Sequence, residues 1–330
     1  GYKSIKNCDI EFGKINVLIG SNGAGKSNFI SAFSLLQNIL AQNMQVFVAQ
    51  SGVNALFYKG RKFTESINFE VFFGENSYGF SLIPTDDNRL IFGKEYFGYH
   101  GGWENESNVF RGHRESEWRS GAGNKIDEYV VPILEKQNWR VYHFHDTGRS
   151  ARVKQEHNIS NCEVLMNDAA NLAAFLYRLK KNYTKNYEEI IKTIQLIAPY
   201  FLDFVLKPQE GNEEQIILKW QQKGCEDIFN ASQLSDGTLR FICLATLLLQ
   251  PHELQPATII VDEPELGLHP YAITIFAEMV RELSAEKQII ISTQSVELLN
   301  EFDVEDVVVV DRGENGSEFR RLDAEALEIR

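Results

Sequence analysis

Apolar residues along this chain fall into three spacings, and each predicts a different element. Ile15-Asn16-Val17-Leu18-Ile19 is nearly continuous in apolar side chains, as in a strand covered on both faces, and it runs into Gly20. Phe29, Ile30, Phe33, Leu36 and Ile39 then recur at helical intervals, which predicts an amphipathic helix from Lys26 to about Leu40. Between 63 and 99 the period falls to two. Ile67, Phe69 and Val71 alternate with polar residues, 74–77 reads as a turn, and Tyr78, Phe80 and Leu82 alternate again, so this stretch predicts an antiparallel meander.

The remaining segments are read the same way. Residues 2–12 and 14–20 are expected to be strands. Residues 101–125, polar and carrying Gly101, Gly102, Gly112, Gly121 and Gly123, are expected to form a mobile loop. Residues 163–199 read as two helices, with Leu172, Phe175, Leu176 and Leu179 on one face of the first, and strands follow near 201–207 and 214–220. From 236 onward helix and strand alternate, which implies a parallel sheet. The expected fold is α/β: a mixed, mainly parallel sheet with an antiparallel β-meander and a helical lobe. One domain is expected to span 1–330, with lobe I at about 1–155 and 232–330 and a helical lobe II at about 156–231.

Composition narrows this. The 330 residues hold 33 Lys and Arg against 46 Asp and Glu, a net charge of −13. That excludes a globally basic nucleic-acid coat but leaves room for a local basic groove. With 43 % hydrophobic and 24 % charged residues the chain reads as globular rather than disordered. Its longest apolar run, near 241–249, is far shorter than the ~18 residues of a membrane span, so no membrane association is expected. Cys8, Cys162, Cys225 and Cys243 are too widely spaced for a metal knuckle and too few for a disulfide framework, so reduced thiols in a cytoplasmic protein are expected. The chain starts at Gly1-Tyr2 without Met, inside what reads as a strand, so a few preceding residues are expected, and no secretory leader is visible.

Three motifs carry chemistry. Gly20-Ser21-Asn22-Gly23-Ala24-Gly25-Lys26-Ser27 fits G-x-x-x-x-G-K-[ST] without a mismatch, between a buried strand and an amphipathic helix. In such a loop the glycines let successive N–H groups turn toward phosphate, and the helix N-terminus adds the positive end of its dipole. Lys26 would reach the β- and γ-phosphates and Ser27 would ligate Mg²⁺, so ATP and Mg²⁺ are the expected ligands. The apolar strand from Thr258 to Val261 delivers Asp262 and Glu263 at its C-terminal end, where open α/β sheets bind ligands. Asp262 suits a Mg²⁺-anchoring carboxylate, and Glu263 suits a general base or an orienter of the attacking water. Leu234-Ser235-Asp236-Gly237-Thr238 opens a helix, with Ser235 as its N-cap and Gly237 allowing close backbone approach.

In this order the motifs resemble the ABC-type ATPases. Gly1-Tyr2-Lys3-Ser4-Ile5, ahead of Asn22-Gly23-Ala24-Gly25-Lys26-Ser27-Asn28, is similar to the start of SMC and RecF heads. Asp262-Glu263-Pro264-Glu265-Leu266-Gly267-Leu268-His269-Pro270 resembles the OLD/RecF-like ATPases, among them subunits of bacterial anti-phage systems. The resemblance is close over 1–40 and 232–312 and loose between them. It implies that Gly20, Asn22, Gly23, Ala24, Gly25, Lys26 and Asn28 hold the phosphates, with Lys3 touching them, and that Ser27 and Asp262 hold Mg²⁺. It also implies that Glu263 is the catalytic carboxylate, that Ser235 and Gly237 bind the γ-phosphate of ATP held by the opposite subunit, and that 266–269 lie at the subunit interface. The protein so implied is an ATPase that closes as a homodimer around two ATP·Mg²⁺. It would be the motor or sensor of a DNA-repair or anti-phage complex with a separate effector such as a nuclease, binding DNA only weakly alone. A nucleotide-gated scaffold and a transporter's ATPase subunit are the other readings.

One position departs from the pattern. The strand Gln288 to Thr293 leads to Gln294, where many ABC-type ATPases carry a switch histidine. Glutamine donates a hydrogen bond but takes no proton near neutral pH, so slow or partner-stimulated hydrolysis is expected, with Glu263 and Gln294 as the catalytic pair. The family's Q-loop is open between Gln50, Gln137 and Gln155. His143, His145 and Asp146 would suit either a metal site or a structural role, and Asp146 or Arg149 a place near the nucleotide. Arg178, Lys180, Lys181, Lys185 and Lys192 with Tyr177 and Tyr183 fit a DNA-facing patch or a solvated helix face, as does the run Arg111, His113, Arg114, Arg119. No heptad run lasts four repeats, and a longest helix of roughly 18 residues, ~27 Å, excludes an SMC-style arm.

Overall fold

The computed structural model describes residues 1–101, 105–119, 125–136 and 139–322. In chain order the elements are β1 (Ile15–Ile19), α1 (Lys26–Leu40), α2 (Met44–Ser51), α3 (Val53–Leu56), β2 (Ile67–Phe73), β3 (Asn76–Pro84), β4 (Leu90–Tyr99), β5 (Asn105–Phe110), α4 (Lys125–Lys136) and β6 (Trp139–Tyr142). There follow β7 (His157–Asn158), α5 (Leu172–Asn182), α6 (Thr184–Ile197), β8 (Phe201–Phe204), β9 (Pro208–Gln209), β10 (Asn212–Ile216), β11 (Lys219–Gln222) and β12 (Ile228–Asn230). The last stretch holds α7 (Asp236–Leu249), β13 (Thr258–Asp262), α8 (Pro270–Leu283), β14 (Gln288–Thr293), α9 (Val296–Leu299), β15 (Val307–Gly313) and β16 (Gly316–Arg321). The chain divides into two compact units. The first comprises Gly1–Glu11, Gly20–Arg140 and Val309–Arg320, and the second Phe12–Ile19, Val141–Val308 and the segment from Arg321.

In the first unit the meander is antiparallel in the order β2-β3-β4-β5, with Phe69 opposite Phe80 and Tyr78 opposite Phe97. Tyr78, Phe80, Phe92 and Phe97 are fully buried, so the alternation seen in sequence is the covered face of this sheet. Two expectations are corrected here. The stretch 101–125 is not loop throughout: 105–110 forms β5, paired with β4 at Tyr96↔Asn108 and Gly98↔Glu106. Its sequence has no apolar alternation, and the open edge of β4 supplies the pairing instead. Gly102, Gly121 and Gly123 lie outside the described residues. Residues 2–12 make no named strand. Tyr2 forms isolated bridges to Ile5 and Phe57, and Lys3 at φ 48° breaks the extended run. The helix α1 has the expected bounds and buries Phe29, Phe33, Leu36 and Ile39.

In the second unit β1, β14 and β13 are parallel, with β14 in the middle. Val17, Leu18, Ile259, Ile260 and Ile289 to Ile291 are buried, as a sheet covered on both faces requires. The helices α7 and α8 pack on each other, and Leu172, Phe175, Leu176 and Leu179 of α5 are buried as their spacing predicts. The 156–231 stretch, read as mainly helical, contains α5 and α6 but also two three-stranded sheets, β7-β10-β9 and β12-β11-β8. Of these, β8 lies within the strand expected at 201–207, and β10 and β11 overlap the one expected near 214–220, whereas β7, β9 and β12, of two or three residues each, are too short to show a period. Among the described residues no helix is long and apolar enough to cross a membrane, and all four cysteines are free thiols.

Candidate functional site

The phosphate loop starts one residue after β1. Gly23 and Gly25 have φ of 79° and 123°, and a Cβ at Gly25 would lie 2.0 Å from Ser317 Oγ, so both dihedral and space require glycine there. Ser317 Oγ donates to Ala24 O at 2.5 Å and is hydrogen-bonded to Ser4 Oγ at 2.7 Å, which accepts from Asn28 Nδ2 at 2.7 Å. This polar chain braces the loop and occupies the Asn28 amide. The Lys26 side chain curls over its own loop, and Nζ donates to Gly20 O at 2.5 Å and Ser21 O at 3.2 Å. Asn22 and Ser27 are exposed, and α1 carries no side-chain cap, which leaves its first N–H groups to an anion. Lys3 Nζ donates to Ser31 Oγ of α1 at 2.5 Å, and burial holds its pKa below the ordinary value.

In the second unit the end of β13 gathers the acids. Asp262 is 8 % exposed. Its Oδ1 is buried without a hydrogen-bond partner, and its Oδ2 faces His143 Nδ1 at 3.7 Å. Burial pushes the Asp262 pKa up, but the facing His143 and Ser292 and the imidazoles of His143 and His145 outweigh it, and the net direction is down. A buried anionic oxygen with an unused lone pair fits a hard divalent cation. His145 Nε2 lies 2.8 Å from Asp262 O. Glu263 holds φ at 45°, with its N–H donated to Ser292 O at 2.8 Å. For a residue other than glycine such backbone costs on the order of 1–3 kcal/mol and persists only where neighbours impose it. Gln294 Nε2 donates to Glu263 Oε1 at 2.6 Å, so the residue standing in the switch position is bonded to the expected catalytic carboxylate. Thr293 Oγ1 donates to Glu265 Oε1 at 2.6 Å and steadies the same turn.

The helix α7 supplies the third element. Ser235 caps it, accepting from Thr238 N at 3.1 Å, and a Cβ at Gly237 would lie 2.3 Å from Gly267 O. Gly237 therefore provides the close approach that its type promised. Ser235, Gly237, Thr238, Gly267, Leu268 and His269 border a hollow of about 160 Å³. Arg240, buried about one turn into the helix, donates from Nε to Phe144 O at 2.8 Å, from Nη2 to His145 O at 3.1 Å and from Nη1 to Leu266 O. Burial lowers its pKa. This guanidinium ties α7 to the segment after β6 and to the 262–268 turn. The motifs did not single it out; its one signal was a lone cation inside an apolar helix.

Other expected residues find local partners. Arg178 donates to Cys162 O and Glu163 O, Lys180 pairs with Asp203 at 2.7 Å, and Lys181 lies over the Tyr177 ring at 4.2 Å, contacts that favour a helix face engaged within the fold. His113 meets Glu95 at 2.8 Å. Among the described residues no three His, Cys, Asp or Glu side chains are placed to hold a metal ion, so His143 and His145 gain no third ligand. Gln137 lies outside the described residues.

The fold and these motifs are those of an ABC-type P-loop head, similar to the heads of the RecF/SMC-like group. Residues 15–300 match the AAA_21 family, described as "AAA domain, putative AbiEii toxin, Type IV TA system", and the chain belongs to that family. Its structure is similar to an SMC head bound to the C-winged helix domain of ScpA, with a TM-score of 0.54 and 17 % identity over 100 % of this chain and 97 % of that one. It is also similar to an SMC head domain with an extended coiled coil bound to the C-terminal domain of ScpA derived from Pyrococcus furiosus, at 0.52 and 16 % over 100 % and 96 %. No curated protein matches the chain.

Proposed function

We propose that this chain binds and hydrolyses ATP with Mg²⁺, and that two copies close around two nucleotides. The observation that supports it most is the shared edge of three parallel strands. Ile19 is opposite Thr293 and Asp262 is opposite Ser292, so the strands leading to the phosphate loop, to Gln294 and to the acidic pair all finish together. In this reading the N–H groups of Gly20, Asn22, Gly23, Ala24 and Gly25 and the ammonium of Lys26 hold the phosphates, with Lys3 beside them. Ser27 and Asp262 would hold Mg²⁺, which supplies charge neutralisation at the β- and γ-oxygens. Glu263 orients the attacking water. The water oxygen bonds to the γ-phosphorus, the bond to the β,γ-bridging oxygen breaks, and the water proton passes to the Glu263 carboxylate. Gln294 holds that carboxylate by donating and cannot relay the proton onward, which makes turnover slow without a partner. Ser235 and Gly237 dock on the γ-phosphate of the second copy's ATP, so the dimer is two-fold and isologous.

The complex is read as a DNA-repair or anti-phage assembly in which this subunit is motor or sensor and a separate effector, such as a nuclease, acts. The family description, naming a toxin of a Type IV toxin–antitoxin system, supports the bacterial-defence branch. The Gln294–Glu263 bond favours a second reading, a nucleotide-gated scaffold with little turnover. Glu263→Gln separates them: a motor loses its biological activity when hydrolysis stops, whereas a scaffold held in its ATP-bound dimer keeps or gains it.

A further inference from the structure

The proposed dimer brings an anion to an end of α7 that carries an acid. Asp236 is the first residue of α7, directly after the Ser235 cap. A carboxylate there favours the helix through its dipole, but it repels a phosphate brought to the same N–H groups. Lys154, on the short 3₁₀ turn Arg152–Lys154, stands opposite it. Its side chain is 7 % exposed, and Nζ donates to Thr147 O at 2.5 Å and lies 3.7 Å from Asp236 Oδ1, whose side chain is 67 % exposed. One carbonyl and one distant, solvated carboxylate compensate poorly for an ammonium taken out of water. A pair with so exposed a partner also contributes little to the fold. Stability therefore does not account for a lysine here, whereas charge balance at the start of α7 does.

We propose that Lys154 is the positioning cation of the 234–238 motif: it neutralises Asp236, so that α7 presents positive potential to the γ-phosphate of the second copy's ATP. This rests on the dimer reading. Lys154 keeps its tether to Thr147 and acts through Asp236; the contacts to phosphate remain those of Ser235 and Gly237.

The test is sedimentation velocity of the full chain in a Glu263→Gln background, with ATP titrated in the presence of Mg²⁺. Lys154→Met should raise the ATP concentration that gives half-maximal dimer about tenfold, for one uncompensated charge near a phosphate. Asp236→Asn alone should lower it, the double variant should return to about the parental value, and Lys154→Arg should follow the parent. ATP affinity of the monomer, measured by calorimetry in a Ser235→Arg background, should not change with Lys154→Met. Parental dimerisation of Lys154→Met overturns the inference. So does a double variant no better than Lys154→Met, or a loss of monomer ATP affinity, since either marks a structural tether only. If Ser235→Arg itself dimerises like the parent, α7 is not the docking element, and the underlying reading falls together with the inference.

Discussion

Arg240→Met is the sharpest test of how the α7 end of the site is held. The change keeps most of the side-chain volume and removes a guanidinium that donates to Phe144 O, His145 O and Leu266 O. Hydrogen bonds from a charged donor contribute roughly 1.5–3 kcal/mol each, and a buried carbonyl left without a partner costs about 1–3 kcal/mol. Against these stands the desolvation of the guanidinium, which the variant no longer bears, so a net loss of roughly 3–5 kcal/mol is expected, as for other broken buried charge contacts. In a chain of this size that lowers Tm by about 5 °C. The assay is thermal unfolding of the nucleotide-free protein at neutral pH, where Arg240 is charged, with hydrogen exchange at the Leu266 and Leu268 amides as the local readout. Those N–H groups close the turn on Glu263 O and Glu265 O, so they should exchange faster in the variant. Arg240→Lys, with its charge kept and its fork lost, should fall between. A Tm within about 2 °C of the parent, with unchanged exchange in the turn, would refute the clamp.

Four further outcomes are expected. Lys26→Ala should abolish ATP binding in calorimetry, and retained nucleotide would overturn the assignment of the loop. Gly25→Ala, which must place a Cβ 2.0 Å from Ser317 Oγ at φ 123°, should lose both ATP affinity and thermal stability, and an unchanged protein would show that the loop can relax. Gln294→His should raise turnover at saturating ATP near neutral pH; unchanged kcat would show that proton relay is not limiting. Glu95 is buried in the meander and accepts from Tyr78 Oη at 2.6 Å, Glu117 N at 3.0 Å and Ser116 Oγ, with His113 at 2.8 Å. Burial pushes its pKa up, but these partners outweigh burial and hold it below 4.5. Its contribution is therefore complete above pH 4.5 and lost as pH falls through the lower folded value. Glu95→Gln should be less stable at neutral pH, and the gap in denaturant midpoints should narrow on the acid side of 4.5; a constant gap would contradict this sign.

The phosphate loop with α1, the strand carrying Asp262 and the capped start of α7 were legible in the chain itself. Each is local: a glycine, a cap or an apolar period acts over a few residues, and backbone dihedrals and side-chain burial follow from that span. The family resemblance rested on the same segments. Contacts between distant residues were not legible. β5 pairs because β4 offers an edge, not because Asn105–Phe110 has a strand's pattern. Arg240 reaches carbonyls 96, 95 and 26 residues away, Gln294 meets Glu263 across 31 residues, and Lys154 meets Asp236 from another segment altogether. Such partners are chosen by where the sheet and helices bring their ends together. A side chain's type says only that it needs a partner; tertiary packing decides which one it has, and at Asp262, Glu263 and Asp236 that choice sets the charge and orientation of the candidate site.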